Sequence, residues 1–372
     1  DWMSLRIYNT LSQAKELFEP VVPGKVGIYV CGPTVYKPSH IGHAVGPIIF
    51  DTVKRYLTFK GFEVTLVVNV TDVDDALVHE AARRNVAWQA LATQQTAQFE
   101  DDMRKLRVRR PSYEPQSREY ITEVVFLARA LLDTGAAYER DGSVLFRGAQ
   151  VPERAGLTRA EAEAALEAID HRALGDDPLD VPVWQASAGD DPAWDSPWGP
   201  GRPGWHAECA AMATAILGLS VDVHGGGSDL AFPHHAYEAA LVESATGVAP
   251  FARSWMHIGE VGVDGEKMAK STGNLVLIFD LLQEWQAEVV RLMILDRVWA
   301  DAWSYEPALL DRSAARLDDL RSAAGRSGSA DVATGEVLSR LCDGLDVPGA
   351  LAVAEEAGGE AAGLCLSLLG LT

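Results

Sequence analysis

Four side chains with metal-ligand chemistry are spread along the 372-residue chain: Cys31, Cys209, His234 and Glu238. Two thiols, an imidazole and a carboxylate form a donor set that suits zinc. Cys31 closes a predicted strand and Cys209 stands early in a predicted helix. His234 and Glu238, four apart, share one helical face. Each residue alone is more often a packed core residue, and the wide separation of the cysteines gives spacing no weight. Cys342 and Cys365 sit in an apolar helical tail and read as core.

Three further segments have phosphate or nucleotide chemistry. His40-Ile41-Gly42-His43 follows the first predicted strand and opens the first predicted helix, where free helix N–H groups can meet a phosphate. Read alone, it is more often a polar capping turn. Lys267-Met268-Ala269-Lys270-Ser271 carries two cations between Gly265 and Gly273, suited to charge on a leaving pyrophosphate; a solvated basic turn fits as well. His224 to Asp229 (HGGGSD) lets a base or ribose approach the backbone, with Asp229 as an acceptor for ribose hydroxyls; alone, it reads as a flexible loop.

These residues need elements to position them. Gly24 to Cys31 and Glu63 to Val70 read as short strands. Helices are expected over about Ile41 to Lys60 and Val86 to Arg107. Strand and helix in alternation predict an α/β fold, a Rossmann-like doubly wound parallel sheet, over residues 3–110. Residues 111–203 break the rhythm with two helices (Arg118 to Thr134, Thr158 to Ile169), then a stretch dense in Asp, Pro, Gly and Trp, and read as an inserted connective subdomain. The second half of the catalytic domain is expected over 204–283. It holds a helix near His206 to Leu217, a strand at Val221 to His224, a helix from His235 to Thr246 and a strand from Trp255 to Val263. A helical bundle is expected over 284–372.

Composition narrows the function classes. Apolar residues at 48% support real cores and exclude intrinsic disorder. No apolar run reaches the roughly 18 residues of a membrane span, and few cysteines suit a reducing compartment, so a cytoplasmic location is expected. The net charge of −21 argues against a dedicated nucleic-acid binder, DNA included. No G-x-G-x-x-G follows the first strand, which disfavours a dinucleotide oxidoreductase. Oligomeric state is not readable from the sequence.

Taken in order, these motifs resemble the class I aminoacyl-tRNA synthetases, in their cysteinyl branch. The likeness lies in YVCGPTVY at Tyr29 to Tyr36, HIGHA at His40 to Ala44 and NVTDVDD at Asn69 to Asp75. It continues in PWGPGRPGWHAEC at Pro197 to Cys209, HGGGSDLAFPHH at His224 to His235 and VDGEKMAKSTGN at Val263 to Asn274. The resemblance implies that L-cysteine and ATP, with Mg2+, form cysteinyl-adenylate and pyrophosphate. It implies one Zn2+ that binds the substrate thiolate, held by Cys31, Cys209, His234 and Glu238. A soft thiolate outcompetes a hydroxyl at such a metal. His40, His43, Lys267 and Lys270 would act on the phosphates. Gly32, Thr34, Asn69, Thr71, Trp205, His224, Gly226, Gly227, Asp229 and Val261 would bind cysteine or the adenylate. Ala269 stands where the family has serine; both cations remain, so activity is expected to survive.

The acceptor is the open question at this level. Leu341 to Thr372 contains five acids and no base, and the chain ends where the bundle would. FEDDMRKLRV at Phe99 to Val108, FPHHAYEAA at Phe232 to Ala240 and GNLVLI at Gly273 to Ile278 resemble the ATP-dependent cysteine ligase of mycothiol synthesis. That enzyme acylates the amine of glucosaminyl-inositol. Its acceptor-side loop is only echoed at His171 to Pro178, and CGPTVYKPSH and Glu238 follow the synthetase pattern. The expectation is therefore a cysteine ligase acting on a small amine, with a cysteinyl-tRNA synthetase as the alternative and tRNA the disfavoured acceptor.

Overall fold

The structure is a computed structural model that describes residues 4–34, 36–169, 171–268, 272–328 and 331–372. It opens with a hairpin, β1 (Arg6–Asn9) and β2 (Ala14–Leu17), before the β-branched strand β3 (Lys25–Val30). Helix α1 (Ile41–Phe59) follows because Ile41, Val45, Ile48, Ile49, Phe50, Val53, Tyr56 and Leu57 line up on its inner face and are all buried. Strand β4 (Glu63–Val68), α2 (Asp75–Arg83) and α3 (Trp88–Lys105) complete the first half.

Residues beyond 111 run through α4 (Ile121–Asp133), β5 (Ala137–Arg140), β6 (Ser143–Phe146), the short α5 (Val151–Arg154), α6 (Arg159–Ala168), β7 (Val181–Ala186) and β8 (Gly201–Pro203). The four strands form one antiparallel sheet in the order β5-β6-β7-β8. It encloses its own core around Trp184, Val144, Leu131 and Leu166, which also takes in Tyr237 and Leu241. The sequence reading expected only helices and a polar stretch here. Four strands of three to six residues, one of them Gly-Arg-Pro, show too little alternation to register as strands.

The chain then returns through α7 (Trp205–Leu217), β9 (Val221–Gly227), α8 (Ala236–Thr246) and β10 (Ala252–Ile258). The central sheet has the order β10-β9-β3-β4, every neighbouring pair parallel. Chain order reverses between β3 and β9, so the carboxyl ends of those two strands flank the crevice where such sheets bind ligands. A small sheet of β11 (Val261–Val263), β12 (Glu266–Lys267) and, after α9 (Ile278–Glu284) and α10 (Ala287–Leu295), β13 (Trp303–Tyr305) lies beside it. Strand β13 interrupts the region read as wholly helical. Four helices finish the chain: α11 (Ala308–Ala324), α12 (Asp331–Cys342), α13 (Val347–Ala357) and α14 (Gly359–Leu369). Cys342 and Cys365 are buried in their core. No described helix is long and apolar enough to cross a membrane.

Candidate active site

Strand β3 delivers Cys31 to the crevice, and Gly32 then lets the chain turn against its neighbour. A Cβ at Gly32 would stand 2.0 Å from the Asn69 carbonyl, so only glycine fits. The Gly32 N–H donates to Asn69 Oδ1 at 2.8 Å, and Asn69 Nδ2 donates to Thr71 Oγ1 at 3.2 Å. Thr34 pairs with Thr71 across this junction. Asn69 is thus a buried tie that sets Thr71 at the cleft wall, where Thr34 and Gly32 also lie.

His40 caps α1. Its Nδ1 accepts from Gly42 N at 3.0 Å, and His43 Nδ1 accepts from His40 N at 3.2 Å. The rings stack with centroids 3.8 Å apart. An Nδ1 that accepts a backbone N–H puts the proton on Nε2 in the neutral ring. Both Nε2–H groups are therefore free to donate. Burial, reinforced by His40, pushes His43 down to about 3, and burial followed by the Lys267 cation lowers His40. Both stay neutral donors at physiological pH.

Helix α7 begins at Trp205, which stacks on His234 at 4.3 Å and 14°. One turn on, Cys209 Sγ lies 3.5 Å from Cys31 Sγ. Glu238 on α8 lies beneath, its Oε2 3.9 Å from Cys31 Sγ and 4.0 Å from His234 Nε2. Burial raises the Cys31 thiol and the Glu238 carboxyl. Burial also acts to raise Cys209, but the hydrogen bond from Cys31 and the neighbouring His234 outweigh it and lower the thiol. Two buried sulfurs in contact, an imidazole and a carboxylate are a costly cluster if left as thiols and acid. As ligands of a soft divalent cation they are satisfied together, so the donor set fits zinc.

Sequence reasoning missed the histidines around this cluster. Donor atoms of Cys31, His234, His235 and Glu238 all lie within 4.8 Å of one another, which adds His235. His235 Nε2 is 3.3 Å from Cys31 Sγ and its Nδ1 is 2.8 Å from His257 Nε2; His257 Nδ1 lies 2.7 Å from Thr10 Oγ1. His206 Nδ1 is 2.9 Å from His234 Nδ1. Such partners orient ligands and fix their tautomers. The signal was the histidine count: of nine in the chain, those at 206, 224, 234, 235 and 257 gather here. His224 belongs with them. It is fully buried, with Nε2 2.7 Å from Glu238 Oε1, and it does not border the cleft.

The glycines after His224 are packing requirements. A Cβ at Gly225 would meet the Phe50 ring at 2.1 Å, and one at Gly226 would meet Leu230 at 2.9 Å. Gly226 and Gly227 border the cleft beside Asp229, which Lys267 Nζ approaches at 3.3 Å; Glu260 lies 3.6 Å from the same amine. Partial burial acts to lower Lys267, but Asp229 and Glu260 outweigh it and keep the amine charged. Val261 and Met268 line the same wall. Lys270, with Ala269 and Ser271, lies outside the described residues. One continuous cavity of about 1490 Å³ runs past Cys31, Cys209, His40, Trp205, Asp229 and Lys267.

The family model for the class I (C) tRNA synthetase catalytic domain matches residues 17–315. The chain belongs to the cysteinyl-tRNA synthetase family. It is 42% identical over 352 residues to the cysteine–tRNA ligase of Geobacillus thermodenitrificans (strain NG80-2), covering 91% of this chain and 74% of that one. It is 43% identical over 339 residues to the cysteine–tRNA ligase of Syntrophotalea carbinolica (strain DSM 2380 / NBRC 103641 / GraBd1), covering 91% and 69%. Mycobacterium tuberculosis methionyl-tRNA synthetase in complex with methionyl-adenylate superposes with a TM-score of 0.65 at 18% identity, over 93% of this chain and 82% of that one, and shows the shared fold.

Membership in the cysteinyl-tRNA synthetase family makes the chain an ATP-dependent ligase of the class I type. It also corrects the expected acceptor. Relatives above 40% identity over most of the chain are cysteine–tRNA ligases. This overturns both the preference for a small amine and the disfavouring of tRNA. The acidity of Leu341 to Thr372 misled because Asp343 and Asp346 lie in the connection before α13, and Glu355, Glu356 and Glu360 lie on α13 and α14 away from the buried residues that pack those helices into the core. Nucleic-acid affinity depends on local cations at the contact, not on a molecule's total charge.

Proposed function

We propose that the chain activates L-cysteine with ATP and esterifies it to the 3′-terminal adenosine of tRNA. The observation that carries the cysteine half is the buried cluster of Cys31, Cys209, His234 and Glu238 at the cleft floor beside Trp205. A zinc ion held there would bind the substrate thiol as a thiolate and reject serine. Trp205, flat against His234, forms the wall beside the cysteine side chain, and Thr71 faces its amine end.

The cysteine carboxylate oxygen attacks the α-phosphorus of ATP, and the bond to the bridging oxygen of pyrophosphate breaks. The neutral Nε2–H groups of His40 and His43 donate to the α-phosphate oxygens as charge gathers there. Donors fixed in advance by backbone hydrogen bonds need no reorganisation at that moment. Lys267 and Lys270 take the charge of the departing pyrophosphate, with Mg2+. Gly226 and Gly227 leave room for the nucleoside, with Asp229 on the ribose hydroxyls and Val261 at the base. Asp229 now holds Lys267, so nucleotide binding exchanges one partner for another. A tRNA ribose hydroxyl then attacks the carbonyl carbon and AMP leaves.

The test is direct. Purified protein should exchange pyrophosphate into ATP with cysteine and far less with serine, contain one zinc per chain by elemental analysis, and charge tRNA of the cysteine type. Exchange without charging of any tRNA would sink the acceptor half; no cysteine-dependent exchange would sink the whole reading.

A further inference from the structure

Side chains alternate along β3, so the strand presents two faces. Ile28 and Val30 belong to the core they share with α1. Gly27, Tyr29 and Cys31 turn the other way, toward α7: a Cβ at Gly27 would meet Leu217 of α7 at 3.3 Å, and Tyr29 and Cys31 pack in one cluster with Cys209.

Tyr29 is completely buried, and its hydroxyl has no hydrogen-bond partner. In the sheet it stands between Val67 of β4 and His224 of β9, with the His224 ring 5.2 Å away. Ala210, Met212 and Val242 complete an apolar surround. A hydroxyl buried without a partner is costly, and phenylalanine would fill the same space without that cost. The groups that bear on the phenol are those of the metal cluster. Burial pushes it up first, then Cys209, Cys31 and Glu238, with Cys209 acting also as a hydrogen-bonding neighbour. A neutral thiol is only a weak acceptor, which leaves the hydroxyl unmatched. A sulfur that ligates a metal is a thiolate, and a charged acceptor makes a shorter and stronger bond.

We propose that Tyr29 is a positioning residue of the metal site, its hydroxyl donating to the Cys209 sulfur when that sulfur is a zinc ligand. The inference rests on the reading that the cluster holds zinc. The hydroxyl would draw electron density from one protein sulfur and leave the metal a stronger Lewis acid toward the sulfur of the substrate cysteine. Partners of this outer kind typically change metal affinity or activity by about 10–100-fold. Tyr29 and Cys31 are two residues apart on one strand face, so β3 alone supplies both a ligand and the donor that tunes its neighbour.

The experiment is Tyr29→Phe in the full chain, which keeps the ring and deletes only the hydroxyl. Zinc affinity, measured by competition with a chromophoric chelator, should fall about 10–100-fold. In the Co2+-loaded protein the sulfur-to-metal charge-transfer band should move to lower energy, because a sulfur without its hydrogen bond holds its electrons less tightly. KM for cysteine should rise about tenfold while KM for ATP stays the same. Metal-free protein should unfold in urea at the same or a higher midpoint, since an unmatched buried hydroxyl has been removed. Unchanged zinc affinity and an unmoved band would overturn the role of Tyr29 alone. A loss confined to the metal-free midpoint would overturn it too, and would assign the hydroxyl to His224, whose Nδ1 also lacks a partner. Wild-type protein that takes up neither Zn2+ nor Co2+ would remove the underlying reading.

Discussion

At the scale of single residues, the site works by fixing protons. His43 shows this most plainly: burial holds its imidazole down to about 3, from an ordinary 6.5. Between those two values the unfolded chain takes up a proton that folded His43 refuses, so stability is full above the unfolded value and falls as the solution is acidified. At pH 5 this one group should cost about 2 kcal/mol relative to neutral pH. His43→Asn retains an acceptor for the His40 N–H and should lose less stability than wild type between pH 7 and 5 by about that amount, as measured by urea denaturation. Equal losses would show that His43 protonates freely. The thiols call for a different measurement. Cys209→Ser replaces a soft ligand with a poor one and leaves a hydroxyl that fits the same buried space. Zinc per chain should drop well below one, cysteine-dependent exchange should fall at least a hundredfold, and far-UV circular dichroism should be unchanged. Full zinc content in that variant would refute the role of Cys209.

At the scale of elements, legibility followed periodicity. The long helices α1 and α3 and the β-branched strands β3 and β4 were readable because each repeats one strong pattern over six or more residues. Cys31, His40, His43 and Lys267 each stand in a short segment of unusual composition, and the structure brings all four to one cleft. The antiparallel insert and β13 were not readable, since strands this short are made by their partners rather than by their own sequence. Arg291 was equally invisible, as one cation within the apolar run of α10. In the structure it is completely buried and ties three elements together. Its Nη2 meets Asp51 Oδ2 of α1 at 2.8 Å and the Leu369 carbonyl at the end of α14 at 2.8 Å, and Nη1 reaches the Leu106 carbonyl after α3 at 3.2 Å. Gly370, at φ +70, is required beside it, because a Cβ there would stand 2.7 Å from the guanidinium. Removing one partner of a buried pair costs about 3–5 kcal/mol, since the other stays buried and unmatched. Arg291→Met should lose about that much in urea unfolding, and Arg291→Met/Asp51→Leu should recover part of it. A loss below 1 kcal/mol in the single variant would show that Arg55, 2.9 Å from Asp51, suffices alone.

For the whole molecule, the same contact decides which parts fold together. The sequence reading separated a sheet domain from a terminal bundle, but one core crosses that boundary. It runs from Ile7, Ile28 and Ile48 through Leu292 to Leu351, Leu366 and Leu371. The inserted sheet, in contrast, closes a core of its own around Trp184 and borrows from α7, α8 and Phe232 just before α8. Cooperative units follow shared cores rather than chain segments. Truncation after Gly358 would remove α14 together with Leu366 and Leu369, strip Arg291 of the Leu369 carbonyl and uncover α11 and α13, whose Leu317, Leu320 and Leu351 are now buried in the core they share with α14. Each large apolar side chain left in water forfeits about 1.5–3 kcal/mol, and with a native margin of about 5–15 kcal/mol such a chain should not hold the sheet together. The truncated protein should lose cysteine-dependent exchange and its cooperative thermal transition, although every residue assigned to the chemistry is still present. In the full chain, calorimetry should show the sheet and bundle melting as one transition, with Arg291→Met lowering that transition as a unit. An exchange-competent protein lacking residues 359–372 would show instead that the helices are a separate body resting on the catalytic fold.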